Sequence, residues 1–127
     1  MSGIEIRINM KDTLAKLDEL IKNIDEGQNL IEGLADEMVD DMVMQAKILC
    51  PVRTGQLQES IHSEGSFPSY QLVADATDDY GTPYGAFVEF GTSLQEAQPY
   101  MWPAVHDSLS MYIPLIRHQF RMFIMGK

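Results

Sequence analysis

The chain has 127 residues, 45% of them apolar, and a formal net charge of −10 at neutral pH. This length and apolar content suit one folded domain, residues 1–127, rather than a disordered chain. The acidic excess argues against gripping nucleic acid through its phosphates, because that mode needs clustered lysines and arginines. The single cysteine, Cys50, cannot form an intrachain disulfide, and no apolar run approaches the ~18 residues of a membrane span. The first residues lack the basic-then-apolar order of a signal peptide, so we expect a soluble cytosolic protein that contacts no membrane.

The N-terminal part of the sequence predicts one strand followed by two helices. Residues 4–9 alternate isoleucines with polar residues, which is the period of a half-buried strand. Asp12 can cap a first helix that Gly27 ends, and Asn29 can cap a second helix that ends before Pro51. Each helix carries one apolar stripe at helical spacing, which requires a surface to pack against.

The remainder of the sequence predicts three short strands and a long helix. The segments 57–64, 70–76 and 84–90 are alternating or β-rich, and short polar loops between them favour an antiparallel meander. The last helix begins at Pro103 and is kinked at Pro114, because its apolar spacing stays in phase across that proline. We therefore predict an α+β fold of order β-α-α-β-β-β-α. Its antiparallel sheet of about four strands is packed on one face by the first two helices and the last one.

Charge is unevenly distributed between two of the predicted helices. Residues 29–50 contain five acidic residues and one lysine, whereas 103–127 contains three basic residues and one aspartate. The acidic residues are Glu32, Asp36, Glu37, Asp40 and Asp41, and the basic ones are Arg117, Arg121 and Lys127. A solvated face is one interpretation of the acidic stripe and a charged contact surface is another; a calcium loop would need an Asp-x-Asp-x-Asp-Gly framework, which is absent. The acidic and basic segments can pair within one chain or between copies.

No combination of residues in the sequence predicts catalysis, a cofactor or a metal site. Cys50, His62, His106 and His118 are scattered, whereas zinc ligands usually come in close pairs. Glycine-rich phosphate loops, Gly-x-Ser-x-Gly elbows and His-Glu-x-x-His are all missing. The nine methionines fit core filling better than an adaptable binding surface.

Three short motifs mark the places where one predicted structure gives way to another. They are Pro51–Leu57 (Pro-Val-Arg-Thr-Gly-Gln-Leu), Tyr84–Thr92 (Tyr-Gly-Ala-Phe-Val-Glu-Phe-Gly-Thr) and Pro99–Ala104 (Pro-Tyr-Met-Trp-Pro-Ala). The first predicts a tight turn after its proline, the second ends in a Gly-Thr turn, and the third places an aromatic plug before the last helix. Glu89 lies in an apolar segment and must either face solvent or find a partner, which we predict to be Arg53 or the Thr54–Gly55 turn. The candidate structural residues are Pro51, Arg53, Thr54, Gly55, Leu57, Glu89, Gly91, Thr92, Pro99 and Pro103.

In order and spacing these motifs resemble the tail-component family of tailed bacteriophages and prophages. The first block of the resemblance extends to Ile61, and with the preceding helices the likeness spans about residues 12–125. Gln58 and Gln98 depart from the family, because many relatives carry a basic residue at these places. The loop 78–83 is also individual to this chain.

The resemblance implies a small α+β subunit of the virion, assembled in the host cytoplasm and acting at the neck or tail end. Such proteins join heads to tails, complete tails or serve as minor tail proteins. They are not enzymes. The implied partners are other neck or tail proteins and copies of the same chain in a ring, without sequence-specific nucleic acid binding; the isolated chain can be a monomer. The alternatives are a cytosolic protein-binding module outside any virion and, third, a small hydrolase with an unrecognised site.

Overall fold

A computed structural model describes residues 3–10, 25–52 and 55–125 of the chain. Within these ranges the elements are β1 (Ile4–Asn9), α1 (Asp25–Leu49), α2 (Gln56–Ser60), β2 (Ile61–Ser66), β3 (Ser69–Ala74), α3 (Gly85–Phe90) and α4 (Met101–Met125). The α+β class is therefore confirmed. The predicted first helix, apart from its last residues, lies outside the described ranges.

The described strands form one antiparallel sheet with β3 in the centre and β1 and β2 on either side. Leu72 in the middle of β3 is level with Ile6 of β1 and with Ser63 of β2. The isoleucines of β1 are buried and its polar residues exposed, as the alternating sequence predicts. A turn with a cis peptide bond between Phe67 and Pro68 connects β2 to β3.

Two predicted strands are wholly or partly helical, so the prediction of about four strands is wrong for the described residues. Residues 57–60 of the segment 57–64 belong to α2, and residues 85–90 of the segment 84–90 form α3. The buried residues of α3 are Gly85, Val88 and Glu89, which follow helical rather than alternating spacing. The phenylalanines of this segment give it a β-rich composition, but both are exposed.

Both long helices are continuous at residues that commonly interrupt a helix, Gly27 and Asn29 in α1 and Pro114 in α4. α1 runs through Gly27 and Asn29, so the predicted helix end and helix cap are wrong there. An interior glycine costs only about 1 kcal/mol relative to alanine, which the burial of the helix can offset. α4 passes through Pro114 as one helix, as predicted, while the kink itself stays a prediction.

The core lies mainly between α1, α4 and the sheet. α1 packs along α4 and also contacts β2 and β3, whereas α4 lies mainly against α1. Tyr100 at the start of α4 is near Cys50, and Tyr112 in its middle is near Asp41, so the two helices run in opposite directions. This arrangement places the end of α1, α2, α3 and the start of α4 at the same end of the molecule.

Candidate functional site

The first and second sequence motifs line one groove with a volume of about 390 Å³. The first motif contributes Pro51, Gly55 and Leu57 to its walls, and the second contributes Tyr84, Phe87, Val88 and Thr92. Gln95 and Gln98, from the loop that leads into the third motif, complete the lining. Motifs that are separated along the sequence are thus neighbours in the fold.

Glu89 ties the second motif to the third. Its side chain is buried, with 2% of its surface exposed. The backbone N–H groups of Tyr100 and Met101 donate to its Oε1 atom, with N to O distances of 2.9 and 2.8 Å, and that of Trp102 donates to Oε2 at 3.1 Å. The carboxylate of α3 therefore caps the first turn of α4.

This cap satisfies the donors that begin every α-helix without a partner. The first four N–H groups of a helix have no intrahelical acceptor, and an aligned helix favours negative charge at this end. Glu89 accepts three of these groups, from Tyr100 just before α4 and from Met101 and Trp102 in it. The next residue is Pro103, which has no N–H. The sequence predicts Pro103 at the first helical position, whereas it is the third residue of α4, still inside the first turn.

A second contact locks the same two motifs together. The hydroxyl of the fully buried Tyr100 donates to the carbonyl oxygen of Gly85 at 3.1 Å. A Cβ atom at position 85 would lie 2.8 Å from that hydroxyl oxygen, so the close approach requires glycine. The N–H of Gln98 also donates to the carbonyl oxygen of Val88 at 2.8 Å. Burial raises the pKa of Tyr100, with Cys50 and Glu89 acting in the same direction, so the phenol stays protonated as a donor.

The described residues of the first motif follow α1 and lead into α2. Gly55 precedes α2 with a φ of 81°, a left-handed conformation that glycine adopts readily, and Leu57 is the buried residue of that short helix. The side-chain amide of Gln58 donates to the carbonyl oxygen of Lys47 at 2.9 Å, so it binds the C-terminal end of α1. Arg53 and Thr54 lie outside the described residues, and the prediction that they contact Glu89 stays a prediction.

The second motif ends in a turn that turns the chain back toward the groove. Gly91 has a φ of 78°, and a Cβ atom there would lie 2.8 Å from the backbone nitrogen of Ala97. The N–H of Thr92 donates to the carbonyl oxygen of Gln95 at 2.8 Å, and the Thr92 hydroxyl oxygen accepts the N–H of Leu94 at 3.1 Å. Residues 92–99, including Pro99, are exposed. This loop forms an ordered, exposed rim to the groove.

The cysteine and the histidines that the structure describes are not arranged as a catalytic or metal-binding group around the groove. Burial raises the pKa of the Cys50 thiol, and a protonated thiol is a poor nucleophile. His62 contacts Ser60 and Glu64, and His106 contacts Asp107; neither residue lines the groove. Among the residues that the structure describes, no group of three or more His, Cys, Asp or Glu side chains is placed to hold a metal ion.

Comparisons with known proteins add no relative. No protein-family model matches the chain, and searches of the curated proteins and of the solved structures found no match. None of the helices in the described ranges is both long and apolar enough to cross a membrane. The motifs and the geometry that joins them are therefore the features that point to a function.

Proposed function

We propose that this protein is a structural virion protein of a tailed phage or prophage, acting at the neck or the tail end. In this role it is one subunit of a homo-oligomeric ring that joins the head to the tail or completes the tail. Its partners are copies of itself and adjoining neck or tail proteins. It needs no cofactor and catalyses no reaction.

One observation carries the proposal: the motifs that resemble the tail-component family adjoin one another in the fold, because buried hydrogen bonds hold the second to the third at one structural joint and the first lines the groove beside it. The polar groups of Glu89, Gly85 and Tyr100 form hydrogen bonds that hold α3 against α4. Motifs whose polar groups position two helices suit a subunit whose function depends on its shape. The groove beside the joint gives such a subunit a concave surface on which a neighbouring protein can rest.

The charge of the chain is consistent with this role. A ring through which DNA passes should let the DNA slide, and tight binding would need clustered basic residues. With 19 acidic against 9 basic residues, the protein does not provide a general phosphate-binding surface.

The test is deletion of the gene from a phage or prophage genome that encodes it. We expect DNA-filled heads that do not join tails, or tails that terminate faultily, in electron micrographs of the lysate. Wild-type protein supplied from a plasmid should restore infectious particles. Normal infectious particles from the deletion strain would overturn the proposal.

Exposed aromatic side chains near the joint favour a second candidate, a protein-binding module outside any virion. Phe87, Phe90 and Trp102 are 48%, 64% and 51% exposed near the joint. Large exposed apolar side chains commonly mark contact surfaces. If this candidate is correct, the deletion leaves virions normal, and substituting these aromatics abolishes a cytosolic interaction instead.

A further inference from the structure

An exposed row of apolar side chains follows the C-terminal part of α4, from Met111 to Met125. Met111, Leu115, Met122 and Met125 occupy positions i, i+4, i+11 and i+14, and His118 fills position i+7. This alternation of four and three residues is the spacing with which one helix packs along another. The four apolar side chains are 39–74% exposed. Arg117 and Arg121 are exposed beside the row, and we call this surface of α4 the basic face.

A complementary surface lies on α1. Met44 and Ile48 are 60% and 70% exposed and are separated by one helical turn. Glu37, Asp40 and Asp41 lie on the same side of the helix in the two preceding turns. These five residues define the acidic face.

The charges of the two faces do not pair with one another inside the molecule. Within the described parts of the chain, the ion pairs join residues 5 and 7, 62 and 64, and 106 and 107. Neither arginine of the basic face and none of the three carboxylates of the acidic face takes part in these pairs. Of the two arrangements that the sequence allows, pairing within one chain and pairing between copies, the first therefore does not occur among these residues.

We infer that the basic face of one copy docks on the acidic face of a second copy, with the two helices antiparallel. In this orientation Met111 is opposite Ile48 and Leu115 is opposite Met44. At the rise of an α-helix, Arg117 is then level with position 42 and Arg121 with position 38 of the neighbouring α1. Each arginine therefore lies within about 5 Å, measured along the helix axis, of Asp40 and Asp41. A parallel arrangement that pairs the same apolar residues moves the arginines away from the carboxylates.

Charge complementarity indicates that the molecule docked on each face is another copy of this chain, and it determines the symmetry of the contact. Packing acidic face on acidic face, or basic face on basic face, would bring like charges together. The contact therefore joins two different surfaces, and repeated head-to-tail contacts of this kind generate a ring or a helical array. That these contacts close into a ring rests on the proposed function. The contact between the two faces is the subunit contact that such a ring requires.

Charge reversal tests the contact in the purified full-length protein. Wild type should self-associate with rising concentration in analytical ultracentrifugation, and the association should weaken as salt is raised from ~0.05 to ~0.5 M. Asp40→Arg with Asp41→Arg should weaken it at least about tenfold, and Arg117→Glu with Arg121→Glu should do the same. The chain that carries all four substitutions should regain association. The matched control is Glu5→Arg with Arg7→Glu, which reverses an exposed pair on β1 and should behave as wild type.

Disulfide trapping tests the antiparallel register. In a Cys50→Ser background, a mixture of Ile48→Cys chains and Met111→Cys chains should form a mixed disulfide rapidly. Met44→Cys mixed with Met111→Cys should form one more slowly, because these two positions are level with each other only in the parallel arrangement and are about 6 Å apart along the axis in the antiparallel one. Faster trapping of the 44–111 pair than of the 48–111 pair would overturn the antiparallel orientation.

The two proposals fail in different ways. Unchanged association of both charge-reversed variants, no recovery in the fourfold variant, or a wild type that stays monomeric at ~1 mM in low salt would each overturn this contact. A deletion strain that still lacks joined particles would leave the proposed function standing in all three cases. Normal particles from the deletion strain remove the virion role, while the self-association measured in vitro is unaffected.

Discussion

Glu89→Gln is the substitution that tests the structural joint most directly. The replacement keeps the shape of the side chain and one oxygen, which can still accept the N–H groups of Tyr100 and Met101. The other oxygen becomes an NH₂ group, which then faces the N–H of Trp102, so that two donors oppose each other. The start of α4 also loses its neighbouring negative charge.

The expected loss of stability follows from these contacts. Losing one hydrogen bond to a charged group costs about 1.5–3 kcal/mol, and losing the favourable charge at a helix N-terminus adds about 0.3–1 kcal/mol. Part of this is recovered, because a buried carboxylate carries a desolvation cost that the amide does not. We expect the free energy of unfolding to fall by about 2 kcal/mol for Glu89→Gln, and by about 4 kcal/mol for Glu89→Ala, which leaves three buried amides unpaired.

Urea denaturation followed by circular dichroism measures this loss. The midpoint should fall while the dependence of stability on urea concentration stays unchanged, because a similar surface is exposed on unfolding. Glu96→Gln is the matched control, since residue 96 is exposed, and its unfolding free energy should stay within about 0.5 kcal/mol of wild type. A Glu89→Gln protein as stable as this control would refute the view that Glu89 holds α3 and α4 together.

Three further predictions concern single groups in the core and at the groove. The hydroxyl of the buried Ser108 has no hydrogen-bond partner among the described residues, so Ser108→Ala should raise the free energy of unfolding by up to about 1 kcal/mol in the same assay. Gly91→Ala should lower the melting temperature, with a loss of about 1–3 kcal/mol, because the new Cβ would meet the backbone of Ala97 and positive φ would be strained. Burial raises the pKa of Tyr70 and of Tyr100, so the unfolded chain loses these protons first. Stability should therefore be constant with respect to these groups at neutral pH and fall as pH rises above about 10, which urea midpoints at increasing pH can measure.

The sequence predicted those elements whose apolar residues repeat with a period that fits only a strand or only a helix. The alternating burial of β1 and the apolar stripes of α1 and α4 follow directly from spacing, and the confirmed elements are of this kind. Short segments gave no such certainty. In α3, Gly85 and Val88 are buried at helical spacing while Phe87 and Phe90 are exposed, so composition favoured a strand where geometry required a helix.

The cap of α4 could not be predicted by local reasoning because its acceptor comes from another helix. No Ser, Thr, Asp or Asn precedes Met101 where a local cap would lie, and the N–H groups of such a helix must still find acceptors. The absence of a local cap was therefore a signal that a distant group supplies it. Glu89, an acidic residue between Val88 and Phe90, supplies this acceptor. Its predicted contact with Arg53 or Thr54 stays a prediction, because both residues lie outside the described ranges.

The joint between α3 and α4 controls the position of distant residues, because α4 is long. Met101 to Arg121 spans about 30 Å, so an error of about 10° in the direction of α4 at its first turn would displace Arg121 by about 5 Å. Packing along α1 restrains the helix laterally, but apolar contacts are not directional and define its axial position and rotation less closely than hydrogen bonds do. The three hydrogen bonds to Glu89 fix the first residues of α4 against both movements. In the proposed assembly, motifs without any catalytic group would thus determine whether the basic face meets the neighbouring subunit, because they set where α4 begins and which side it presents.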